Sequence, residues 1–547
     1  MNGRAVLILG GGVMQVPAIE AARRLSCVVH LADGNPECIG RELVDRFHHV
    51  DLRDIPGLIT AAQEISGLQG VFTAGTDFSY SVAMVAESCS LPGTSPGSAR
   101  NASDKGLMRD VLRRHGIPVP AYLRVDPAAA QALAAGEFPP ELPRFPLVVK
   151  PVDNMGARGV MRCDCPESLP AAVAAALTYG RNGSLILEEL IDGQEYSLDA
   201  VIFEGEIRIT GIATRHIFFP PYFIEMGHSI PSNLSRGEKE VLEGTFRESI
   251  TALGITRGAA KGDIFLKNES AGPAAVVGEV AARLSGGYMS GWTYPAATGV
   301  PLTEIGLRIA LGETPEDSLF QETPGTVVTE RALLSAPGTV QTVHAPEVGD
   351  PTVVQLFIRC APGDEVTPPA NNVEKVANVI TRGATLAEAE RSALATLAKV
   401  VVRLLPNQAV TSTYLFSQDR PGISGGADFS WYRAEPAGAE VTWPWVQGAP
   451  FSRGTLLAAP VPVIDRRSIS GLISRFPVPA ANLLLEELVR AGTIELVKPP
   501  AADGAAALDR AFWQPFFRAG LQGVYYLLDS LEDPARDHNL HPWENLL

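Results

Sequence analysis

Charged residues at the ends of apolar strands are the first candidates for chemistry in this sequence. Lys150 ends the apolar run at 145–149 and precedes a loop that contains Gly156 and Gly159. Glycines let backbone N–H groups approach an anion, and the lysine ammonium adds a point charge. These residues predict a polyphosphate site, although a lysine that only solvates a strand end is the alternative. The spacing differs from that of a Walker loop, which requires a Lys-Ser/Thr pair.

A pair of acids gives a more specific signal. Residues 259–266 and 274–280 predict the two strands of a hairpin with a long turn centred near Ala271. Asp263 and Glu279 are equidistant from that centre, so we expect them directly opposite each other. Like charges in this position are destabilising unless a cation lies beside them, and Mg²⁺ takes one or two carboxylates together with phosphate oxygens and water. A bulge that keeps two strand-edge acids apart is the alternative.

The elements that position these residues indicate an α/β protein. Residues 1–98 alternate strands with a helix, which predicts an open parallel sheet; the segments are strands at 6–9, 28–32 and 70–73 and a helix at 17–25. The first turn lacks the third glycine of a dinucleotide fingerprint, because Gln15 stands there, so a tight strand-to-helix turn is the simpler interpretation. Residues 99–320 continue with a helix at 103–115, capped by Ser103, and with strands at 146–149, 185–187, 196–203 and 206–212.

The remainder of the chain predicts two more regions. Residues 321–408 combine strands at 340–343 and 353–358 with a core helix that starts at Thr385 and has Glu388 in the capping-box position. The apolar face of that helix comprises Leu386, Ala389, Ala393, Leu397, Val400 and Leu404. Residues 409–547 form a C-terminal extension with a helix-turn-helix-strand, winged-helix-like pattern at 467–497, for which we favour packing or dimerisation.

The composition excludes several classes of function. A formal net charge of −16 over 547 residues argues against the broad basic surface that nucleic acid or an anionic membrane requires. The six cysteines show no paired CxxC spacing and no secretory framework, so we expect free thiols in a reducing compartment. No targeting segment and no apolar run of about 20 residues is visible, so we expect a cytoplasmic protein without membrane partners.

Taken together, these residues resemble the ATP-grasp superfamily of carboxylate–amine ligases. The resemblance implies a pre-ATP-grasp domain at 1–98 and a two-lobed α+β ATP-grasp domain at 99–320. It implies that Asp263 and Glu279 carry Mg²⁺, or Mn²⁺ in its place, and that Arg283 lies near the transferred phosphoryl group. The implied ATP contacts lie on two lysines, a phosphate loop, an adenine hinge and a ribose acid: Lys105, Lys150, Asn154, Gly156, Arg158, Gly159, Glu188, Glu189, Leu190 and Glu195.

One departure from the family pattern narrows the resemblance. The usual Glu-x-Asn-x-Arg reads Glu279-Val-Ala281-Ala-Arg283, so the asparagine that assists a second magnesium is absent and one or two ions remain open. This variant, followed by Gly286 and Gly287, resembles the L-amino-acid ligase branch. In that branch the glycines would serve the substrate carboxylate and His228 would act on the substrate side. Residues 321–408 resemble its small C-terminal α+β domain.

The resemblance implies a ligase that joins a small carboxylate, such as an amino acid or peptide, to an amine through an acyl phosphate. Carboxyphosphate chemistry, as in biotin carboxylase or carbamoyl-phosphate synthetase, is the alternative within the fold; no Ala-Met-Lys-Met biotinylation sequence occurs. A non-catalytic nucleotide-sensing regulator that binds DNA is disfavoured by the acidic charge. Whether the protein forms a homodimer stays open.

Overall fold

The computed structural model describes residues 3–270, 272–323, 325–397 and 399–416, and positions 440–441, 451–452, 519, 522–523, 526 and 529–530. These residues form two compact units. The first comprises the described parts of Met1–Ile217, Gly227–Glu330 and Ile380–Ala389; the second comprises Phe218–Met226, Arg331–Val379 and the described residues from Glu390 onward. The winged-helix-like pattern at 467–497 lies outside the described residues. Among the residues described, no helix combines the length and apolarity needed to cross a membrane.

The first unit begins with the predicted parallel sheet. Its strands run in the order β3-β2-β1-β4 and all pair in parallel: β1 (Ala5–Leu9), β2 (Val28–Asp33), β3 (Arg46–His49) and β4 (Leu68–Phe72). Every residue of β1 is buried, as expected for a strand covered on both faces. The helices that connect the strands and follow them are α1 (Val16–Arg24), α2 (Ile55–Gln63) and α3 (Ser79–Ser88). All six cysteines of the chain are free thiols, as predicted.

Two consecutive helices follow where one was predicted. Helix α4 (Pro96–Ser103) ends at the residue predicted to cap the next helix, and α5 covers Lys105–Arg114. The cap of α5 is Asp104, whose side chain accepts a hydrogen bond from the Leu107 N–H at 2.8 Å. The prediction of Ser103 as the cap is therefore wrong: aspartate is an equally good N-cap, and it stands one residue closer to the helix.

A small four-stranded sheet forms one lobe of the first unit. Its order is β5-β8-β6-β7, with antiparallel pairing throughout, and its strands are β5 (Tyr122–Val125), β6 (Leu147–Pro151), β7 (Met161–Cys163) and β8 (Leu185–Glu189). Helices α6 (Pro127–Ala134) and α7 (Leu169–Tyr179) pack on it through a shared apolar core. The loop at 154–159 connects β6 to β7.

The other lobe contains long antiparallel strands. Five neighbouring strands run in the order β13-β12-β9-β10-β11: β9 (Gln194–Phe203), β10 (Glu206–Phe218), β11 (Ile224–Ile230), β12 (Gly258–Glu269) and β13 (Gly272–Ala281). Helix α8 (Arg236–Leu253) begins with a capping box between Ser235 and Glu238 and packs with α5 on one sheet face. A π-helical turn (Met289–Thr293), α9 (Tyr294–Thr298) and α10 (Leu302–Ala310) follow the hairpin.

The second unit contains a small antiparallel sheet. Strand β15 (Gly338–His344) lies between β17 (Glu365–Val366) and β19 (Val401–Leu404). The other elements of this part of the chain are β14 (Val327–Leu333), β16 (Val353–Ile358), β18 (Ala377–Gly383), α11 (Leu386–Leu397) and α12 (Ala409–Phe416). A short ladder pairs β20 (Glu440–Val441) with β21 (Phe451–Ser452).

The predicted core helix is shorter than its apolar pattern suggests. The capping box between Thr385 and Glu388 is present, with both reciprocal hydrogen bonds. The helix stops at Leu397, however, and Val401–Leu404 form strand β19. A run of β-branched valines favours a strand, so the helical period at Val400 and Leu404 was coincidental. Leu386 is exposed, in contrast to the predicted buried face.

Residues near the C-terminus contribute to the core of the second unit. Tyr526 is buried among the apolar side chains of this unit, and its hydroxyl lies 2.8 Å from the backbone nitrogen of Gln408 and from the hydroxyl of Ser412. The Gln522 side chain accepts a hydrogen bond from the Ala336 N–H at 2.8 Å. Part of the predicted C-terminal extension therefore packs with residues of the region before it.

Candidate active site

Strands β12 and β13 form the hairpin that carries both predicted metal ligands. Asp263 pairs with Glu279 across the strands, as predicted. The long turn was wrong, because β12 ends at Glu269 and β13 begins at Gly272. Near the turn the register pairs Ile264 with Val277, which would place Asp263 opposite residue 278. A bulge between Asp263 and Ile264 shifts the register by one residue. The alternative considered for the sequence was a bulge that keeps the two acids apart, but this bulge places them opposite each other.

Gly278 is the bulge residue. A Cβ atom here would lie 2.8 Å from the Phe265 ring and 2.9 Å from the carbonyl oxygen of Asp263, so a side chain does not fit without a shift. The Gly278 carbonyl accepts a hydrogen bond of 2.6 Å from Nη2 of Arg109. Residue type and this bond together fix the bulge that sets the register of the acids.

Two cations of the protein contact one oxygen of Asp263. Its Oδ2 forms an ion pair with Nζ of Lys261, two residues earlier on the same strand face, and lies 2.8 Å from Nη1 of Arg215. Its Oδ1 is buried and has no hydrogen-bond partner among the described residues. An unsatisfied buried oxygen is costly, which makes this atom a candidate ligand for a bound cation.

Glu279 faces several cations and is partly open to solvent. Nζ of Lys105 lies 3.3 Å from its Oε1. Burial of the carboxyl opposes its ionisation, but the nearby charges of Lys105, Lys261 and Arg283 outweigh burial and hold the pKa of Glu279 well below its usual range. The carboxylate is therefore ionised at neutral pH and available to bind a cation.

Lys105 connects the hairpin to the predicted phosphate loop. It is the first residue of α5, its backbone N–H donates to the Val152 carbonyl at 3.0 Å, and its ammonium donates to the Asn154 carbonyl at 2.7 Å. Because the same ammonium also contacts Glu279, three of the predicted site residues converge here.

The loop at 154–159 is internally braced. The Asn154 side chain donates to the Tyr179 carbonyl at 2.7 Å and accepts from the Met155 N–H at 2.9 Å, while Nε of Arg158 donates to the Met155 carbonyl at 3.1 Å. Gly156 and Gly159 have φ angles of +66° and +72°, a region that favours glycine. The glycines therefore permit the tight turn that connects β6 to β7.

The side chain of Glu188, the first residue of the predicted adenine hinge, takes part in a buried ion-pair network. The side chain is buried, and it accepts hydrogen bonds of 2.6 Å from Nε of Arg109 and from Nζ of Lys150. Burial raises its pKa, but Arg109 and Lys150 more than compensate and bring it to about 2. The carboxylate of Glu188 therefore anchors Lys150, while Arg109 reaches on to the Gly278 bulge.

The backbone donors of the predicted hinge already have partners. The Glu189 N–H donates to the Ala121 carbonyl at 2.9 Å and the Leu190 N–H to the Pro146 carbonyl at 3.0 Å. These two N–H groups are therefore engaged before any base binds. The predicted ribose acid, Glu195, forms an ion pair with Arg215, the same guanidinium that contacts Asp263.

Arg283 and the glycines after it contact the loop that follows β4. Nε of Arg283 donates to the Thr76 carbonyl at 3.0 Å, and Ala74 forms a parallel bridge with Leu284. A Cβ at Gly75 would lie 2.8 Å from the Cα of Gly286, so the two backbones approach too closely for a side chain. The N-terminal sheet thus fixes the segment from Arg283 to Gly287.

Asp199 supports this segment from β9. Its Oδ1 accepts a hydrogen bond of 2.8 Å from the Ser285 N–H, and its strand position faces Lys261. Burial raises the pKa of Asp199 to about 6, although Ser285, Lys261 and Arg283 act in the opposite direction. A third carboxyl group therefore lies on the sheet face that carries Asp263.

His228 lies in the protein interior, with 1% of its surface exposed. Nε2 is 2.9 Å from Oγ1 of Thr293, at the end of the π-helical turn that follows Gly287, and Nδ1 is 3.5 Å from Oε2 of Glu330. This burial favours a positioning role for His228 over direct proton removal from a substrate.

The residues fit a magnesium ion that is held together with a nucleotide. Among the residues that the structure describes, no group of three or more His, Cys, Asp or Glu side chains forms a metal site by itself. Asp263 and Glu279 supply two carboxylates, one of them with an unsatisfied oxygen. Mg²⁺ commonly binds one or two carboxylates and takes its other ligands from phosphates and water.

Four residues of this constellation were not predicted. Lys261, Arg215, Arg109 and Asp199 all contact or face predicted site residues. Arg109 follows Lys105 by one helical turn and Lys261 precedes Asp263 by two residues on one strand, so periodicity contained a signal for both. No comparable signal connects Arg215 with Asp263, because that contact depends on strand order.

Comparison with known families adds independent observations. Residues 143–290 match the family model of the ATP-grasp domain, and residues 331–404 match that of the L-amino acid ligase C-terminal domain 2. The chain therefore contains a segment that matches the ATP-grasp domain. The ATP-grasp match includes Lys150, the loop at 154–159, both acids and Arg283. The second match confirms the predicted relation to the L-amino-acid ligase branch.

Individual relatives match the chain in sequence or in fold. Carnosine synthase 1 of Homo sapiens is 26% identical over 340 residues, which cover 58% of this chain and 40% of that protein. The match thus spans less than half of the relative. The L-amino acid ligase from Bacillus licheniformis has a TM-score of 0.62 at 21% identity and covers 74% of this chain and 100% of that chain.

A second solved structure shares the fold. It is the biotin carboxylase domain of the 2-oxoglutarate carboxylase of Hydrogenobacter thermophilus, in complex with MgADP and bicarbonate. Its TM-score is 0.57 at 17% identity, and the match covers 74% of this chain and 91% of that chain. Together, the two structures and the family matches confirm the predicted α/β ATP-grasp fold.

Proposed function

We propose that this protein is an ATP-dependent carboxylate–amine ligase that joins an amino acid or similar small carboxylate to an amine through an acyl phosphate. The match to the L-amino acid ligase C-terminal domain 2 supports an amide-forming reaction over carboxyphosphate chemistry. The similarity to carnosine synthase 1 supports the same class.

One observation carries the proposal: the directly opposed pair of Asp263 and Glu279, with an unsatisfied carboxylate oxygen and with Lys105 3.3 Å from Glu279. Two directly opposed acids destabilise a strand pair through the repulsion of like charges. A divalent cation bound together with a triphosphate would remove this repulsion.

ATP and Mg²⁺, or Mn²⁺ in its place, are the reactant and the metal of this proposal. Asp263 and Glu279 would hold the metal, which neutralises phosphate charge when bound. Lys105 and Lys150 supply ammonium groups for the phosphates, and the backbone of the loop at 154–159 closes over them. Residues 188–190 and Glu195 stay the candidates for adenine and ribose, with the backbone carbonyls of the hinge rather than its engaged N–H groups as contacts.

The chemistry requires two displacements. A carboxylate oxygen of the first substrate attacks the γ-phosphorus, the bond to the bridging oxygen breaks, and ADP leaves. The amine of the second substrate then attacks the acyl carbon, phosphate leaves with the electron pair of the C–O bond, and the nitrogen loses a proton to water or phosphate. Arg283 would stabilise charge on the transferred phosphoryl group, and the N–H groups of Gly286 and Gly287 would bind the carboxylate.

His228 has an indirect part in this scheme. Its hydrogen-bond distance to Thr293 connects it to the turn that follows Gly287. His228 would therefore orient the glycine segment, and through it the substrate, rather than contact the reacting atoms. Water exclusion on closure would protect the acyl phosphate from hydrolysis.

A substrate screen tests the function. ADP and phosphate release are measured with ATP, Mg²⁺ and all pairs of a panel of acids and amines: the common amino acids, acetate and bicarbonate as acids, and amino acids and ammonia as amines. We expect turnover only when a carboxylic acid and an amine are both present. Transfer of one ¹⁸O atom from the labelled acid into phosphate would support the acyl phosphate. Bicarbonate as the sole productive acid would replace this proposal with carboxyphosphate chemistry.

Replacement of a proposed metal ligand gives a sharper test. Glu279→Ala should lower ADP formation by at least about a hundredfold, because it removes half of the carboxylate pair. Glu269→Ala is the matched control, since this exposed acid lies on the same hairpin and pairs with Lys267. Circular dichroism should show both variants folded. Normal turnover by Glu279→Ala would contradict the assignment of Glu279.

A further inference from the structure

Lys261 occupies a special position on the hairpin. It pairs directly across the strands with Ala281, two residues along the hairpin from the pair formed by Asp263 and Glu279 and on the same face of the sheet. Directly opposed residues project from the same face, so the lysine side chain lies beside the two acids. The side chain is buried, and its ammonium contacts Oδ2 of Asp263.

The two oxygens of Asp263 are therefore not equivalent. Oδ2 is bound by the Lys261 ammonium and by the Arg215 guanidinium. Oδ1 has no partner, although the residue is only 5% exposed. The carboxylate offers one free oxygen to a metal ion, on the side away from the two protein cations.

The hairpin offers few further ligands to a second metal ion. Position 281 is an alanine and offers no donor atom, while the remaining oxygen of Asp263 is already bound. An ion beside that oxygen would also lie close to the ammonium of Lys261, and repulsion between like charges is strong where water is excluded. The Lys261 ammonium therefore disfavours a second divalent ion beside Oδ2 of Asp263.

We propose that the site binds one divalent ion, between Oδ1 of Asp263 and Glu279, and that the Lys261 ammonium supplies the positive charge of a second ion. This inference rests on the proposed ATP-dependent function and deepens it. Because the lysine is part of the protein, its positive charge is present at any metal concentration. One bound divalent ion should therefore be sufficient for turnover.

The test counts metal ions. Mn²⁺ bound per bound AMP-PNP is measured by equilibrium dialysis with electron paramagnetic resonance, at saturating AMP-PNP. We expect one Mn²⁺ per nucleotide in the wild type. Two Mn²⁺ per nucleotide would overturn this inference alone. Failure of AMP-PNP to bind would overturn the proposed function, and this inference with it.

Variants of Lys261 test the assigned role. Lys261→Met removes the charge and keeps the length, so we expect the Kd of Mn²⁺ to fall at least about tenfold while turnover drops at least about a hundredfold. Lys261→Arg keeps the charge and should retain the wild-type Kd for Mn²⁺. Lys267→Met, on the same strand but paired with Glu269, is the control and should change neither quantity.

A purely structural lysine would behave differently. Its loss would weaken metal binding and turnover together through distortion, whereas the proposed role predicts tighter metal binding with slower turnover. An unchanged or increased Kd for Mn²⁺ in Lys261→Met would therefore overturn the inference. If that variant does not fold, the ion count of the wild type and the Kd of Lys261→Arg still decide it, with a changed Kd in the arginine variant counting against the role.

Discussion

Glu188 and Asp263 are buried carboxylates with similar partners and different degrees of saturation. Each is bound by one lysine and one arginine: Lys150 and Arg109 at Glu188, and Lys261 and Arg215 at Asp263. At Glu188 the two cations contact different oxygens, so both oxygens are satisfied. At Asp263 both cations contact Oδ2, and Oδ1 has no partner among the described residues.

This difference indicates different roles: Glu188 positions its neighbours, whereas Asp263 has an oxygen that can bind a ligand. A fully satisfied buried ion triad holds its members in fixed places but has no capacity left for binding. An unsatisfied oxygen in the same surroundings costs free energy until a cation binds to it. The two groups are connected, because Arg109 also donates to the carbonyl of Gly278 in the bulge beside Asp263.

The largest expected effect on stability is at Glu188. Glu188→Gln leaves Arg109 and Lys150 buried with one neutral partner, so we expect a loss of about 3 kcal/mol in the free energy of unfolding. Asp263→Asn should cost about 1 kcal/mol, since Arg215 keeps Glu195 as a partner. Urea denaturation of both variants measures the difference. Equal losses would contradict the distinction between a closed and an open carboxylate.

The bulge provides a way to disturb the open site alone. Gly278→Ala places a methyl group 2.8 Å from the Phe265 ring and should cost about 1–3 kcal/mol, with weaker Mn²⁺ binding because the acids lose their register. Gly244→Ala, in helix α8 with no atom near the added methyl group, is the matched control and should be neutral or stabilising by up to about 1 kcal/mol. Thermal unfolding and Mn²⁺ titration report both quantities. Unaltered Mn²⁺ binding in Gly278→Ala would show that the register does not depend on this glycine.

Local sequence predicted the elements better than their exact ends. Short apolar runs such as 6–9 and 185–187 form buried strands, as predicted, because continuous apolar runs of this length are typical of strands covered on both faces. The helix after Thr385 was extended too far, since Val400 continues a helical period but precedes a strand. Period alone cannot distinguish a helix from a strand that happens to follow in phase.

The register of the acids was predicted correctly through two errors that cancel. The pairing of Glu269 with Gly272 places the centre of the turn slightly before the predicted one, and the bulge at Gly278 compensates for that offset. A sequence pattern cannot locate a bulge, because its stabilisation comes from contacts such as that between Arg109 and the Gly278 carbonyl. For the same reason the role of Arg215 became visible only with the strand order.

Asp199 extends the comparison to a third buried carboxyl group, with a smaller expected effect. Its raised pKa of about 6 means that the folded protein keeps this proton where the unfolded chain, with an ordinary value near 3.8, has lost it. Ionisation of Asp199 therefore costs stability as the pH rises from about 4 through 6, and the cost is complete above that range.

The variant Asp199→Asn tests this pH dependence, because it keeps an acceptor for the Ser285 N–H and cannot ionise. Relative to this variant, the wild type should lose about 1–2 kcal/mol of unfolding free energy between pH 5 and pH 7.5. Urea denaturation at both pH values measures the difference, and a pH-independent gap would mean that Lys261 keeps Asp199 ionised throughout, as a permanent ion pair instead of a neutral acid.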